Sequence, residues 1–182
     1  MRSQFADRPK GASVPGMTAE EIGEFLAEPG HLLRIGVVDE TGMPLVVPIW
    51  FMHRDGALCF TPREKSGWLS HCRRNPRICC TIDESRPPNR KLVVRGRAEI
   101  VHDVGADDAW RDLYREITLR YTPPAWADAY LQDTIQERRA LLCVPLASSE
   151  VQSWRMPFRE GEDPLAVWAP RYYRGGRGRA GR

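Results

Sequence analysis

The densest polar chemistry in the chain lies in one short run, Thr61-Pro62-Arg63-Glu64-Lys65-Ser66. It joins an expected strand end to an expected helix start, so it offers two cations, two hydroxyls and the free N–H groups of a helix N-terminus. That set suits a phosphate, with charge-assisted hydrogen bonds from Arg63 and Lys65 and further donors from Thr61 and Ser66. The same residues also read as a solvated loop in which Ser66 caps the helix. A second signal is Pro48 followed by Ile49 and Trp50. Trp50 is either core or a planar apolar wall for a ligand. Pro48 has no N–H, so a regular central ladder cannot run through it. It leaves main-chain groups free for the polar edge of a ring.

No arrangement for nucleophilic catalysis accompanies these signals. The serines lack a nucleophile-elbow context, and neither a P-loop nor a dinucleotide glycine fingerprint occurs. No catalytic side chain is assigned from the sequence; the pattern points to chemistry supplied by a bound cofactor. His31, His53, His71 and His102 are scattered without ligand spacing, and no metal site is expected. Cys59, Cys72 and Cys143 sit in apolar patterns, and adjacent Cys79 and Cys80 would face opposite sides of a strand. All five read as free thiols in a reducing compartment.

The net charge of +3 is carried by a Gly/Arg tail, 171–182, with five arginines and no acid, which leaves the remaining 170 residues at −2. The body therefore offers no global field for nucleic acid. The tail is too polar to pack and is expected to be disordered. No apolar run approaches the roughly 20 residues that cross a bilayer, and 1–16 does not resemble a signal peptide. A cytoplasmic protein without nucleic-acid or membrane partners is expected, with one barrel domain over 17–170 between a disordered arm (1–16) and the tail.

The elements that must position these residues follow from patterning. Thr18 and Glu21 have capping-box spacing, and Pro29-Gly30 stops the helix they open. Strands are expected over 32–39, 44–53, 57–61, 77–83, 91–101 and 140–146, the last extending toward Trp154. Asp55-Gly56 marks a hairpin. Both faces of 44–53 are apolar, so this strand should be covered twice, by the barrel core and by something else. Gly96 marks a bulge or a close approach. Helices are expected over 65–75 and 106–121, and a further one with Thr122 as N-cap and Pro123 at its first position. The first turns are too short for parallel crossovers. The fold class is mainly β (α+β), a six-stranded antiparallel barrel with short flanking helices.

The run PLVVPIWFMHRDGALCFTPREKSGWLSHCRRNPRICCTID, followed by VVRGRAEI and SEVQSW, resembles the pyridoxamine 5′-phosphate oxidase-like, FMN-binding split-barrel family. The likeness covers roughly residues 18–154 and rests on the order and spacing of its motifs. It implies a split-barrel homodimer with two flavin sites at the subunit interface. It places Pro48, Ile49 and Trp50 beside the isoalloxazine ring, and Thr61, Arg63, Lys65 and Ser66 on the phosphate. Trp154 would reach the ring from the other subunit. The implied activity is hydride transfer through FMN to a small-molecule substrate. The deazaflavin F420 is the alternative cofactor, and a non-catalytic flavin or haem carrier the alternative role. The arginine-and-histidine set with which true pyridoxamine phosphate oxidases hold their substrate is incomplete here, so that substrate is not implied.

Overall fold

The computed structural model describes residues 16–156. The expected arm (but for Gly16), the basic tail and the end of the expected barrel domain lie outside the described residues. In chain order the elements are α1 (Ala19–Ala27), β1 (Leu33–Val38), β2 (Pro44–Ile49), β3 (Met52–Arg54), β4 (Ala57–Phe60), α2 (Gly67–Arg74), β5 (Arg77–Asp83), β6 (Lys91–Arg97) and β7 (Glu99–His102). A single 3₁₀ turn (Asp107–Ala109) then leads to α3 (Arg111–Leu119), α4 (Pro124–Asp133), β8 (Leu141–Pro145) and β9 (Glu150–Trp154).

The strands form a five-stranded sheet, β2-β1-β5-β6-β9, and a four-stranded sheet, β3-β4-β8-β7. All pairings are antiparallel. Two of the six expected strands cross from one sheet to the other. The 44–53 segment breaks at Trp50-Phe51 into β2 and β3, and 91–101 breaks at Ala98 into β6 and β7. Counting each broken strand as one, the order β1, β2–β3, β4, β8, β6–β7, β5 runs around a ring of six strands. The ring is split at its corners, with β9 added on β6. Ala98 leaves the ladder because its N–H donates to the Pro76 carbonyl at 2.8 Å. The core inside the ring is built on Phe25, Phe51, Phe60, Leu33, Leu58 and Leu142, all fully buried.

Local chemistry explains most boundaries. Thr18 and Glu21 close the expected capping box reciprocally. Asp55 and Gly56 both have positive φ, 51° and 75°, the conformation that a two-residue hairpin of matching twist requires. A Cβ on Gly96 would lie 2.2 Å from Ser149 Oγ and 3.0 Å from Val144 Cγ1, so the close approach expected there is real. Asp39 organises the β1–β2 turn, its carboxylate accepting from the Thr41 hydroxyl and from the Thr41 and Met43 amides.

Several expectations need correction. The described residues cover 44–53 on its core face only, where Val47 and Ile49 pack; β2 pairs only with β1, at a sheet edge, and Val46 on the other face is 62% exposed. Pro48 is tolerated on β2 because that strand's outer edge has no ladder partner among the described strands. The final strand is two strands, because 146–149 turns before β9. α4 starts one residue later than expected: Pro123 is the N-cap and Pro124 is the first helical residue. Thr122 lies one residue before the cap, and its hydroxyl donates back to the Thr118 carbonyl at 3.0 Å instead. Five free thiols were expected, but Cys59 and Cys143 form a disulfide between β4 and β8, where they are direct cross-strand partners. Cys72, Cys79 and Cys80 are free.

A charged clamp fastens α1 to the barrel. The Arg90 guanidinium donates to both carboxylate oxygens of Glu28 (2.8 and 2.7 Å) and to both of Glu84 (2.9 and 2.7 Å), and it lies 4.8 Å over the Phe25 ring. Glu28, His31 and Glu84 are close enough together to hold a cation, and the Arg90 guanidinium already occupies an oxygen pair on each carboxylate. Its hydrogen bonds hold both carboxyls below the usual range. Because these folded-state values are depressed, the clamp's stabilisation is present above the unfolded carboxylate pKa of about 4. It is lost as pH falls through the folded values. Arg90→Met should therefore cost about 2 kcal/mol at neutral pH. The gap between wild-type and variant melting temperatures should narrow progressively as pH falls below the ordinary carboxylate range. A gap that persists in acid would mean the loss came from packing.

Candidate functional site

The site grows from the β4–β8 pairing. In that register Cys59 faces Cys143 and Phe60 faces Leu142, and beyond the strand ends Arg63 forms an isolated bridge with Arg139. Main-chain hydrogen bonds continue past both residues, from Ala140 N–H to the Pro62 carbonyl (3.0 Å) and from Glu64 N–H to the Arg138 carbonyl (2.8 Å). Two guanidiniums are thereby set side by side at the point where the strands leave the sheet.

Both cations use the same phenol. Tyr130 Oη accepts from Arg63 Nη2 at 3.1 Å and from Arg139 Nη2 at 3.3 Å. A phenolic oxygen has two lone pairs and one hydrogen, so the Tyr130 O–H remains available as a donor. Burial raises the Tyr130 pKa, but the nearby Tyr114 hydroxyl, the hydrogen bond from Arg63 and the field of the two guanidiniums outweigh it and hold the phenol below its ordinary value. Arg139 is only 6% exposed. It lies 4.4 Å over the Tyr114 ring and donates to the Thr61 carbonyl at 3.3 Å. Its Nε is buried without a hydrogen-bond partner. Among the described residues no carboxylate forms an ion pair with it. An unmatched guanidinium at this depth is costly unless an anion completes it.

The other part of the site is the β2–β3 corner. Trp50 stacks on Tyr121 with ring centres 5.1 Å apart and planes within 4°, and meets Tyr130 edge-on at 5.8 Å. The Tyr121 hydroxyl accepts from Phe51 N–H (3.1 Å) and donates to the His31 carbonyl (2.8 Å), pinning the corner. The outer edge of β2 has no ladder partner among the described strands.

Six of the eight expected site residues, Pro48, Ile49, Trp50, Thr61, Arg63 and Ser66, line one cleft of ≈ 270 Å³ together with Pro62, Trp68, Tyr114, Tyr130 and Arg139. Ser66 is the N-cap of α2 but its side chain makes no capping bond, so its hydroxyl is not spent on the helix. Lys65 is not brought into the cleft. Its ammonium is 2.7 Å from Glu137 and faces an adjoining depression. Trp154 lies on β9 under the Lys91 ammonium (4.3 Å) and does not line the cleft of its own chain. The buried thiols of Cys72, pushed up to about 11, and Cys80, pushed higher still, are poor nucleophiles and lie outside the cleft.

Sequence reasoning missed Arg139, Tyr130 and Tyr114. Tyr114 was visible only as one of several apolar positions on a helix. Nothing local distinguishes Arg139 from Arg138, and their roles separate only once β8 is paired with a strand some eighty residues earlier. The shared phenol is checked by ultraviolet tyrosine titration. The first tyrosinate to form on raising pH should be that of Tyr130, lost in Tyr130→Phe and moved to higher pH in Arg63→Met. An unchanged first phase in Tyr130→Phe would remove this arrangement.

A family model described as pyridoxamine 5′-phosphate oxidase matches residues 18–150. No curated protein matches the sequence. Among solved structures, a conserved hypothetical protein from Mycobacterium tuberculosis is 20% identical with a TM-score of 0.63, over 81% of this chain and 90% of its own. A protein described as an F420 reductase is 24% identical with a TM-score of 0.51, over 70% of this chain and 94% of its own. An FAD-binding protein from Mesorhizobium loti is 21% identical with a TM-score of 0.55, over 78% and 97%. At these identities the likeness is one of fold.

Proposed function

Because the chain belongs to the pyridoxamine 5′-phosphate oxidase family, we propose that it is a flavin-dependent oxidoreductase. In this reading the cleft between the Trp50 corner and the Arg63–Arg139 bridge holds FMN. The observation that carries the reading is the buried, unmatched Arg139 guanidinium, which shares the Tyr130 hydroxyl with Arg63 beside the planar wall of Trp50. This donor set fits a phosphorylated flavin: two guanidiniums, the Tyr130 O–H and the hydroxyls of Thr61 and Ser66 for the phosphate, and the unpaired edge of β2 for the ring.

The bound flavin would supply the hydride chemistry, and the chain's residues would bind and orient it. Arg139 and Arg63 fix the anionic end, Tyr121 holds the corner that carries Trp50, and Pro48 and Ile49 flank the ring. Lys65, engaged by Glu137, contributes less than the sequence implies. F420 remains the alternative cofactor, supported by the fold-level likeness to a reductase described by that name. Arg139→Met should weaken FMN binding about 10- to 100-fold, the loss of a charged hydrogen bond, and leave riboflavin, which lacks the phosphate, nearly unaffected. An equal loss for both ligands would place Arg139 away from the phosphate. Purified protein that is yellow and releases FMN on denaturation supports the cofactor. A bound flavin that neither nicotinamide donors nor reduced F420 can reduce, and that passes electrons to no acceptor, would leave only the carrier role.

The site is proposed to be completed by a second copy of the chain. Its ≈ 270 Å³ falls short of the roughly 300–1,000 Å³ of a complete small-molecule pocket. Val38, Met43, Leu45 and Val46 leave an exposed apolar surface on β1, β2 and their turn, and β2 also carries Pro48 and Ile49 into the cleft. A second subunit covering β2 would wall the site at the same time. Val46→Asp should turn a dimer into a monomer in light scattering and lower flavin affinity with it. A wild-type monomer at micromolar concentration would overturn the shared site.

A further inference from the structure

Glu137 stands where an anionic ligand would be drawn. Its Oε2 is 2.8 Å from Arg63 Nε and its Oε1 is 2.7 Å from Lys65 Nζ. Next to it, Arg138 is matched by Glu64 at 3.7 Å. Of the cations gathered at the β4–β8 exit, Arg139 alone has no carboxylate paired with it among the described residues. The chain has thus neutralised part of its own anion seat. We propose that Glu137 is an internal counter-ion that the anionic group of the ligand displaces from Arg63, so that only an anion able to outcompete a carboxylate fills the seat. This rests on the cleft being the phosphate seat of the proposed function.

Three features make Glu137 a competitor rather than a scaffold for Arg63. Arg63 is already placed by its main-chain bridge to Arg139 and by the Tyr130 hydroxyl, so its position does not depend on Glu137. The two oxygens of Glu137 have separate partners, and the carboxylate can give up Arg63 while keeping Lys65. Lys65 is the most exposed of the group, with 69% of its side chain accessible, and can follow the carboxylate outward. Giving up Arg63 frees its Nε for the forked pairing with phosphate that a guanidinium makes best. A dianionic phosphate can engage Arg63 and Arg139 together. A single carboxylate or chloride replacing Glu137 on Arg63 only exchanges one unit charge for another.

The test is Glu137→Gln in the full chain, which keeps the shape and removes the charge. The dissociation constant for FMN should fall about three- to tenfold, the scale of a half-exposed ion pair no longer opposing the ligand. The constant for riboflavin should hold within about twofold. Unchanged or weaker FMN binding in Glu137→Gln would overturn the proposal and make Glu137 a support for Arg63. A second measurement separates this outcome from failure of the cofactor reading. If wild-type protein binds neither FMN nor F420, that reading falls, and inorganic phosphate decides the counter-ion. A larger rise in melting temperature for Glu137→Gln than for wild type in phosphate supports displacement. An equal rise, or none in either protein, overturns it.

Discussion

The arrangement of the site depends on how the chain turns its corner at Trp50-Phe51. A strand that passes from one sheet to another gives up ladder partners at the crossing, and buried main-chain groups left that way need replacements. Tyr121 supplies one: its hydroxyl takes the Phe51 N–H and reaches the His31 carbonyl, while its ring lies flat on Trp50. One side chain from the segment after α3 thus fixes the corner's backbone and the orientation of the indole. It ties the point where β2 leaves its pairing with β1 and β3 takes up β4 to the wall that faces the arginine pair.

The opposite wall solves a harder electrostatic problem, since adjacent guanidiniums repel. The structure lowers that repulsion by giving both cations a common acceptor in Tyr130, by laying Arg139 on the Tyr114 ring and by setting Glu137 against Arg63. None of these groups removes the excess positive charge at Arg139. That residual charge is what the proposed phosphate seat rests on.

Much of this was legible in the residues themselves. The capping box at Thr18, the Asp55-Gly56 turn and strand 77–83 were readable because each is set by chemistry within a few positions. Pro48 excluded a regular central ladder for a reason intrinsic to proline, and the structure puts it on an edge strand. The partition of 44–53 and 91–101 between two sheets was not readable, because the breaks at Trp50-Phe51 and Ala98 depend on partners elsewhere: Tyr121 for the first, Pro76 for the second. Among the site residues, Arg63 and Ser66 stood out through their place before a helix. The sequence could not tell them apart from Lys65, whose direction is set by Glu137 across the β4–β8 exit. Apolar residues on both faces of 44–53 signalled a covering but not whether the chain itself provides it. The disulfide was invisible for the same reason as Arg139, since both follow from pairing β4 with β8.

That pairing has a consequence for which length changes the family member can tolerate. Cys59 and Cys143 face each other, and four residues further along each strand Arg63 and Arg139 do the same. The covalent link holds the frame from which both arms are counted. A single inserted or deleted residue between Phe60 and Arg63 would put the two guanidiniums out of step unless the stretch from Arg139 to Leu142 changed by the same amount. Variation in loop length should therefore collect outside this frame, at the tip of the β5–β6 connection between Glu84 and Arg90, whose pairing closes the base of that loop whatever the length of its tip.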